Sequence, residues 1–434
     1  MTHRLRIGIA GLGTVGASVF QLIERQNNRL VLRTGREIKV TAVAARDKTR
    51  DRGIDVSGLA WFDDPVALAQ SDQIDVFVEL MGGDEGPARL AVEAAIRAGK
   101  TVVTANKALL AKHGMALARL AKQHDTALYF EAAVAGGIPV IKTLREAMAG
   151  NSISRISGIL NGTCNYILSR MELEGLTYQA CLSDAQRLGY AEADPTFDVG
   201  GFDTAHKLAL LSSLAFGTEI DAEAIYVEGI DAIDPLDLKM AEELGYRIKL
   251  LGVAERTATG IEQRVHPTMV DRSSPLAQVM GVTNAVTLSG DAVGDLTLVG
   301  AGAGGMATAS SVMSDLADVA RSARVETFAL PIDALDAAPR APMQRHEGGY
   351  YVRLSVLDRP GAVASIATRM AERNISLESI VQRKAAGQGK VAAPVPVVLI
   401  TYATSEESIR AALDAVFGDG HIAEKPQLIR IERN

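Results

Sequence analysis

Arg4-Leu5-Arg6-Ile7-Gly8-Ile9-Ala10-Gly11-Leu12-Gly13-Thr14-Val15-Gly16 reads as a short apolar strand, a glycine turn and the approach to a helix expected over residues 17–25. In Gly-x-Gly-x-x-Gly the first glycine permits a tight turn and the second lets backbone approach a pyrophosphate. The third allows the helix to pack closely on the strand. The free N–H groups at the helix start then face the phosphates. A bare glycine pattern also suits a plain structural turn. The strand before it and the helix behind it, at the start of a domain, favour a dinucleotide, with Gly11, Gly13, Thr14, Val15 and Gly16 as candidate contacts.

The next strand, residues 38–45, ends in Arg46, Asp47 and Lys48. An acidic residue at that point would hold the ribose diol of NAD, whereas Arg46 suits a 2′-phosphate; NADP is favoured, and Asp47 keeps NAD possible. Residues 74–81 and 101–104 read as further strands around a helix at 87–99, so the βαβ alternation continues. Ligands of an open α/β sheet lie beyond the carboxyl ends of its strands, which places Lys107 near the nicotinamide. An unpaired cation at the start of the helix expected at 108–124 is mildly unfavourable, another reason to read Lys107 as functional. Glu131 then leads into a glycine-containing segment through Pro139 that suits either a monovalent cation or an ordinary turn.

A second signal lies at residues 189–207, where Glu192, Asp194, Asp198, Asp203 and Lys207 crowd the approach to an apolar helix and its first turns. Asp203 and Lys207 stand four apart, on the helix face that continues through Leu210, Leu211 and Leu214. A solvated surface pair would lie opposite the leucines. A lysine beside apolar surface and carboxylates is instead a group whose proton can be tuned. Asp194, before Pro195, reads as a turn residue, and His206 points off the lysine's face.

The 434 residues, 47% hydrophobic, are enough for several cores. A net charge of −7 argues against nucleic-acid and anionic-membrane surfaces and for small-molecule partners. Cys164 and Cys181 form neither a disulfide framework nor a metal-ligand spacing, as expected of a reducing compartment. The first residues lack a secretory pattern and no apolar run reaches membrane-spanning length, so a cytoplasmic protein is expected.

The organisation expected is a Rossmann-type α/β domain (1–150), an α+β substrate and dimerisation domain (151–305), a helix returning to the nucleotide domain (306–330), a proline-bearing linker (331–345) and a C-terminal βαββαβ domain (346–434). The glycine turn at 300–305, including Gly304, begins the returning helix and suits phosphate approach or close packing.

Gly11–Gly16, Thr104-Ala105-Asn106-Lys107, the segment from Glu131 to Pro139, Asn161-Gly162-Thr163-Cys164-Asn165-Tyr166, the segment from Gly189 to Pro195, Phe202-Asp203-Thr204-Ala205-His206-Lys207 and the segment from Gly302 to Thr308 together resemble homoserine dehydrogenase, in that family's order. The resemblance implies NAD(P)-dependent interconversion of L-homoserine and L-aspartate 4-semialdehyde in threonine, methionine and isoleucine biosynthesis. It implies Lys207 as proton donor with Lys107 near the reacting centre, Glu192 and Asp203 on the substrate ammonium, Asp198 in support, and Gly189 against the cofactor. It also implies a sodium ion among Glu131, Val134, Gly136 and Ile138, and a homodimer or larger oligomer. Ala301 and Ala307 stand where the family usually has proline, which touches loop rigidity and not chemistry. The strand, Asp358-Arg359-Pro360-Gly361 turn and helix near the C-terminus resemble an ACT domain, implying L-threonine as effector, or else a dimerisation appendage. Two other classes compete: a related semialdehyde dehydrogenase, which requires a cysteine nucleophile with a base, and an amino-acid sensor, which leaves Glu192, Asp203 and Lys207 without purpose.

Overall fold

Short, mostly apolar strands covered on both faces form the first layer, in a computed structural model that describes residues 4–337, 339–357, 359–382 and 394–432. Its elements are β1 (Leu5–Ala10), α1 (Thr14–Thr34), β2 (Ile38–Ala44), β3 (Ala60–Phe62), α2 (Pro65–Gln70), β4 (Val76–Glu79), α3 (Pro87–Arg97), β5 (Thr101–Thr104), α4 (Lys107–Gln123) and β6 (Leu128–Tyr129). The six strands pair in parallel in the order β3-β2-β1-β4-β5-β6, a dinucleotide-binding topology whose direction reverses between β1 and β4. The crevice for a ligand therefore opens beyond Ala10 and Glu79. α1 runs well past the expected residue 25 and ends at Gly35, whose N–H caps the carbonyl of Val31.

The chain leaves this layer through a turn at Glu131–Ala133 and α5 (Val140–Lys142) and builds a mixed sheet. Its elements are β7 (Ile153–Ile159), α6 (Gly162–Glu174), α7 (Tyr178–Arg187), α8 (Thr196–Val199), α9 (Phe202–Phe216), β8 (Tyr226–Val227), α10 (Pro235–Glu243), β9 (Tyr246–Thr257), β10 (Gly260–Asp271), β11 (Thr283–Gly290) and β12 (Gly294–Ala301). α9 is buried on nearly every side, consistent with its run of Leu, Ala and Ser. α11 (Gly305–Ala320) then returns to the nucleotide layer and packs on α1; a Cβ at Gly305 would meet the Ser18 Oγ at 2.5 Å.

The last module comprises β13 (Glu347–Val356), α12 (Ala362–Ala371), β14 (Leu377–Gln382), β15 (Val395–Thr401), β16 (Thr404–Ser405), α13 (Glu406–Gly418) and β17 (Gln427–Glu432). Its main strands run β17-β13-β15-β14. They cover a core of Tyr350, Val352, Leu354, Ile366, Met370 and Leu413. Asp358 of the expected turn lies outside the described residues. β17 pairs in parallel with β10 through Thr268 and Arg430, Met269 and Ile431, and Val270 and Glu432, so both domains share one eleven-stranded sheet.

The segment expected as a linker, 331–345, is laid down on the central domain. Ile332 and Leu335 are buried, the Glu219 N–H donates to the Asp336 carbonyl at 3.0 Å, and Ile261 exchanges backbone hydrogen bonds with Pro339 and Ala341. The prolines suit an extended backbone and stay exposed, while Ile332 and Leu335 anchor the segment and Pro339 and Ala341 flank Ile261 of β10. Among the described residues no helix is long and apolar enough to cross a membrane.

Candidate active site

The glycine turn sits at the topological switch point. Gly11 has φ +98°, and a Cβ there would meet the Leu80 carbonyl oxygen at 2.5 Å. A Cβ at Gly16 would lie 2.0 Å from the Gly11 carbonyl oxygen, so this glycine lets α1 close onto the strand end. Gly13 faces open space, as a residue left clear for a ligand does. Thr14 and Val15 begin α1. Gly304, at the start of α11, also has open space around it, while neighbouring Gly305 abuts Thr14, so two helix starts converge on one rim. These residues fit a dinucleotide pyrophosphate.

Beyond β2, Arg46 is exposed. Asp47 turns its carboxylate onto its own loop, accepting from the Thr49 N–H at 2.8 Å and hydroxyl at 2.7 Å. Arg52, absent from the sequence reading, donates to the Leu12 carbonyl at 3.2 Å and to the Asp47 carbonyl, tying this basic loop to the glycine turn. Its spacing of forty residues from Leu12 left no local signal.

The second cluster joins four chain segments. Lys207 on α9 is buried, with Nζ donating to the Leu160 carbonyl and to Asp203 Oδ2, both at 2.7 Å. Lys107, expected near the nicotinamide and the reacting centre, lies 3.0 Å from Asp203 Oδ1. It is presented by the loop after β5, where Asn106 caps α4 through Leu109 N–H and Thr104 anchors to buried Glu79 at 2.6 Å. Asn161 caps α6 through its Oδ1 and donates its Nδ2 to Asp198 at 2.8 Å and Asp203 at 2.9 Å. Its motif was noted, but the link between two distant carboxylates is a property of the folded chain. Burial works against ionising Asp203, yet Lys207 and Lys107, with the hydrogen bonds from Lys207 and Asn161, hold its carboxyl well below the usual range. Burial pushes Lys207 below the usual lysine range despite Asp203. It pushes Asp198 up, against the Asn161 hydrogen bond.

Other expected residues occupy different settings. Glu192 is exposed on the loop after α7; its backbone carbonyl accepts from the Gln186 side-chain amide, and among the described residues its carboxylate has no hydrogen-bond or ion-pair partner. Gly189 terminates α7 with φ +77°. Asp194 accepts from the Thr196 N–H, a turn role. His206 packs its ring on Phe197. Cys164 is buried; its thiol donates to the Asp198 carbonyl at 3.2 Å and burial pushes it well up, the opposite of a nucleophile's needs.

Glu131, Val134, Gly136 and Ile138 are all buried, and Ala135 and Gly136 both take left-handed backbone conformations. Glu131 accepts the N–H groups of Ile141 and Lys142, and its own N–H donates to Asp315. Burial pushes both carboxyls up, and Glu131 raises Asp315 further, while Asp315 Oδ1 has no hydrogen-bond partner. Lys142 and Arg145 act on both carboxyls from close by, so oxygen donors and basic side chains share this buried turn. A cavity of about 460 Å³ lined by Thr101, Lys122 and Phe328 opens at the opposite, amino end of β5 and contains none of these groups.

Comparison with known proteins matches residues 139–317 to the homoserine dehydrogenase family, residues 11–131 to the homoserine dehydrogenase NAD-binding domain and residues 350–418 to the ACT domain. A homoserine dehydrogenase of Pseudomonas aeruginosa is 44% identical over 437 residues, covering 99% of each chain. The crystal structure of a homoserine dehydrogenase from Thiobacillus denitrificans superposes with a TM-score of 0.93 at 43% identity, covering 99% of each chain. A hyperthermophilic archaeal homoserine dehydrogenase in complex with NADPH gives 0.63 at 26% identity, covering 76% of this chain and 99% of that one.

Proposed function

From the premise that the chain belongs to the homoserine dehydrogenase family, we propose that it reduces L-aspartate 4-semialdehyde to L-homoserine with NADPH, reversibly, in threonine, methionine and isoleucine biosynthesis. The observation that carries this reading is the buried Lys207 ammonium. Two of its three N–H donors are committed to Leu160 and Asp203, and the third is available for a substrate oxygen.

Bound NADPH supplies the hydride to the carbonyl carbon. Lys207 gives a proton to the oxygen as its charge develops and takes one back in the oxidation. Asp203 keeps Lys207 and Lys107 together. A carboxylate offers about four lone-pair positions. Three are engaged by Lys207, Asn161 and Lys107, leaving one for the substrate ammonium. Glu192 supplies the second negative charge for that ammonium, and Asp198 steadies the turn before α9. Gly11, Gly13, Thr14, Val15, Gly16, Gly189 and Gly304 hold the dinucleotide, with Lys107 at its nicotinamide end. Arg46 meets the 2′-phosphate; the inward turn of Asp47 and the NADPH complex of the archaeal relative support this choice over NAD.

A sodium ion at Glu131, Val134, Gly136 and Ile138, a homodimer, L-threonine acting through the ACT domain and a reducing cytoplasmic setting complete the proposal. They are supported respectively by the buried carboxyls, the exposed Val299 of edge strand β12, the family match and two free buried cysteines. Purified protein should consume NADPH on addition of L-aspartate 4-semialdehyde, faster than NADH; no turnover with either cofactor overturns the reading.

A further inference from the structure

The seam between the C-terminal module and the central domain carries an ion network whose shape bears on α9. Arg430, on β17, is 1% exposed. Its guanidinium donates to Glu406 at 2.5 and 3.1 Å within its own module, and to Glu228 at 2.6 and 3.3 Å across the seam. Glu228 is also held by Arg410 at 2.9 Å and by the Tyr226 hydroxyl, and the Tyr226 ring lies 5.1 Å from the Arg430 guanidinium. A partly buried carboxylate with this many charge-assisted donors has little freedom to move.

The backbone from Glu228 onward leads to the lysine site. The Glu228 N–H donates to the Val265 carbonyl at 2.7 Å, fixing it to β10, and the Ile230 N–H donates to the Val199 carbonyl at 3.0 Å. Between them Gly229 lies so close to the turn before α9 that a Cβ would meet the Val199 carbonyl oxygen at 2.6 Å and the Gly200 Cα at 3.0 Å. Gly201 caps α9 with φ +89°, and a Cβ there would meet the Val227 and Val265 side chains at 3.0 and 3.1 Å. Its N–H donates to the Asp198 carbonyl, and Asp203 is the second residue of the helix it starts. From Arg430 to Asp203 every step is a hydrogen bond, an ion pair or backbone in contact.

We propose that Arg430 and Glu228 are positioning residues: the C-terminal module, through this pair, sets the turn at 198–201 and so the placement of Asp203 and Lys207. The proposal rests on Lys207 carrying the proton, and it makes the module part of the enzyme's basal geometry. A small displacement of a proton donor costs rate out of proportion to its size.

The test compares two single substitutions in the full-length protein. Glu228→Gln keeps side-chain shape while weakening the link; it should lower kcat for semialdehyde reduction about tenfold and leave KM for NADPH within about twofold. Glu432→Gln weakens another ion group of the same seam, to Arg264 and Arg155, whose side chains among the described residues form no hydrogen bond or ion pair with residues 228–230. It should lower the thermal midpoint while leaving kcat unchanged. Arg430→Lys, which retains charge and loses the fork, should give a kcat between wild type and Glu228→Gln. If Glu228→Gln does not fold, Glu228→Asp serves, with the same expected loss. Equal kinetic profiles for the Glu228 and Glu432 variants, or wild-type kcat in Glu228→Asp, overturn the proposal. Lys207→Ala separates the two readings: full turnover in that variant removes the proton-transfer role itself, whereas its loss beside a normal Glu228 variant removes only the positioning link.

Discussion

The turn at residues 11–16 makes its site from backbone that is contiguous in the chain, while the lysine cluster makes its site from side chains at 107, 161, 198, 203 and 207. In the first, shape comes from missing side chains: Gly11 and Gly16 clear a neighbouring carbonyl and Gly13 borders open space. In the second, charge comes from opposed effects, because the burial that depresses Lys207 also penalises Asp203, and Lys207, Lys107 and the Asn161 hydrogen bond keep Asp203 ionised. A backbone site is damaged by adding atoms. A charge site is damaged by removing one partner, since the others are left buried and unbalanced.

The largest expected effect is at the lysine. Lys207→Ala should lower kcat by about 10²–10⁴ while NADPH binding, followed by fluorescence titration, is retained. Loss of both together would mean that the two regions are not separable. Next, Gly16→Ala places a methyl group against a backbone carbonyl and should cost about 1–3 kcal/mol by chemical denaturation. Gly13→Ala meets no protein atom and should keep stability while raising the KM for NADPH, so equal destabilisation of both variants would break the distinction. The pH profile sharpens it further. Reduction needs protonated Lys207, so its kcat should fall as pH rises through the depressed lysine pKa. Homoserine oxidation needs the neutral amine and should rise through the same point; profiles unchanged by Lys207→Arg would assign the titration elsewhere. The smallest effect is at Arg46→Ala, which should raise the KM for NADPH about five- to tenfold with little change for NADH, the loss of one charge-assisted contact.

The four central strands of the parallel layer were legible because their signals are local: each is a short apolar run, and the Gly-x-Gly-x-x-Gly spacing falls within six residues, whereas β3 and β6 are too short to give such a signal. β9 escaped the reading because Lys249 interrupts its apolar run and both its faces are buried, which erases alternation. The docking of the 331–345 segment was not legible because proline suits a solvated spacer and a strap hydrogen-bonded along β10 equally well. Asn161 was visible as part of a motif, yet its two carboxylate partners lie 37 and 42 residues away.

By itself the sequence determined the dinucleotide turn, the helix face shared by Asp203 and Lys207, and the βαββαβ order of the last module, since each depends on residues within a few turns of one another. Only the tertiary structure decided that Lys107 is paired, that Asn161 bridges Asp198 and Asp203, and that β17 continues the central sheet beside β10. The physical reason is the range of the forces involved. Backbone conformation and side-chain periodicity act over neighbouring residues, whereas desolvated charges must be neutralised by whatever the fold brings within hydrogen-bond distance.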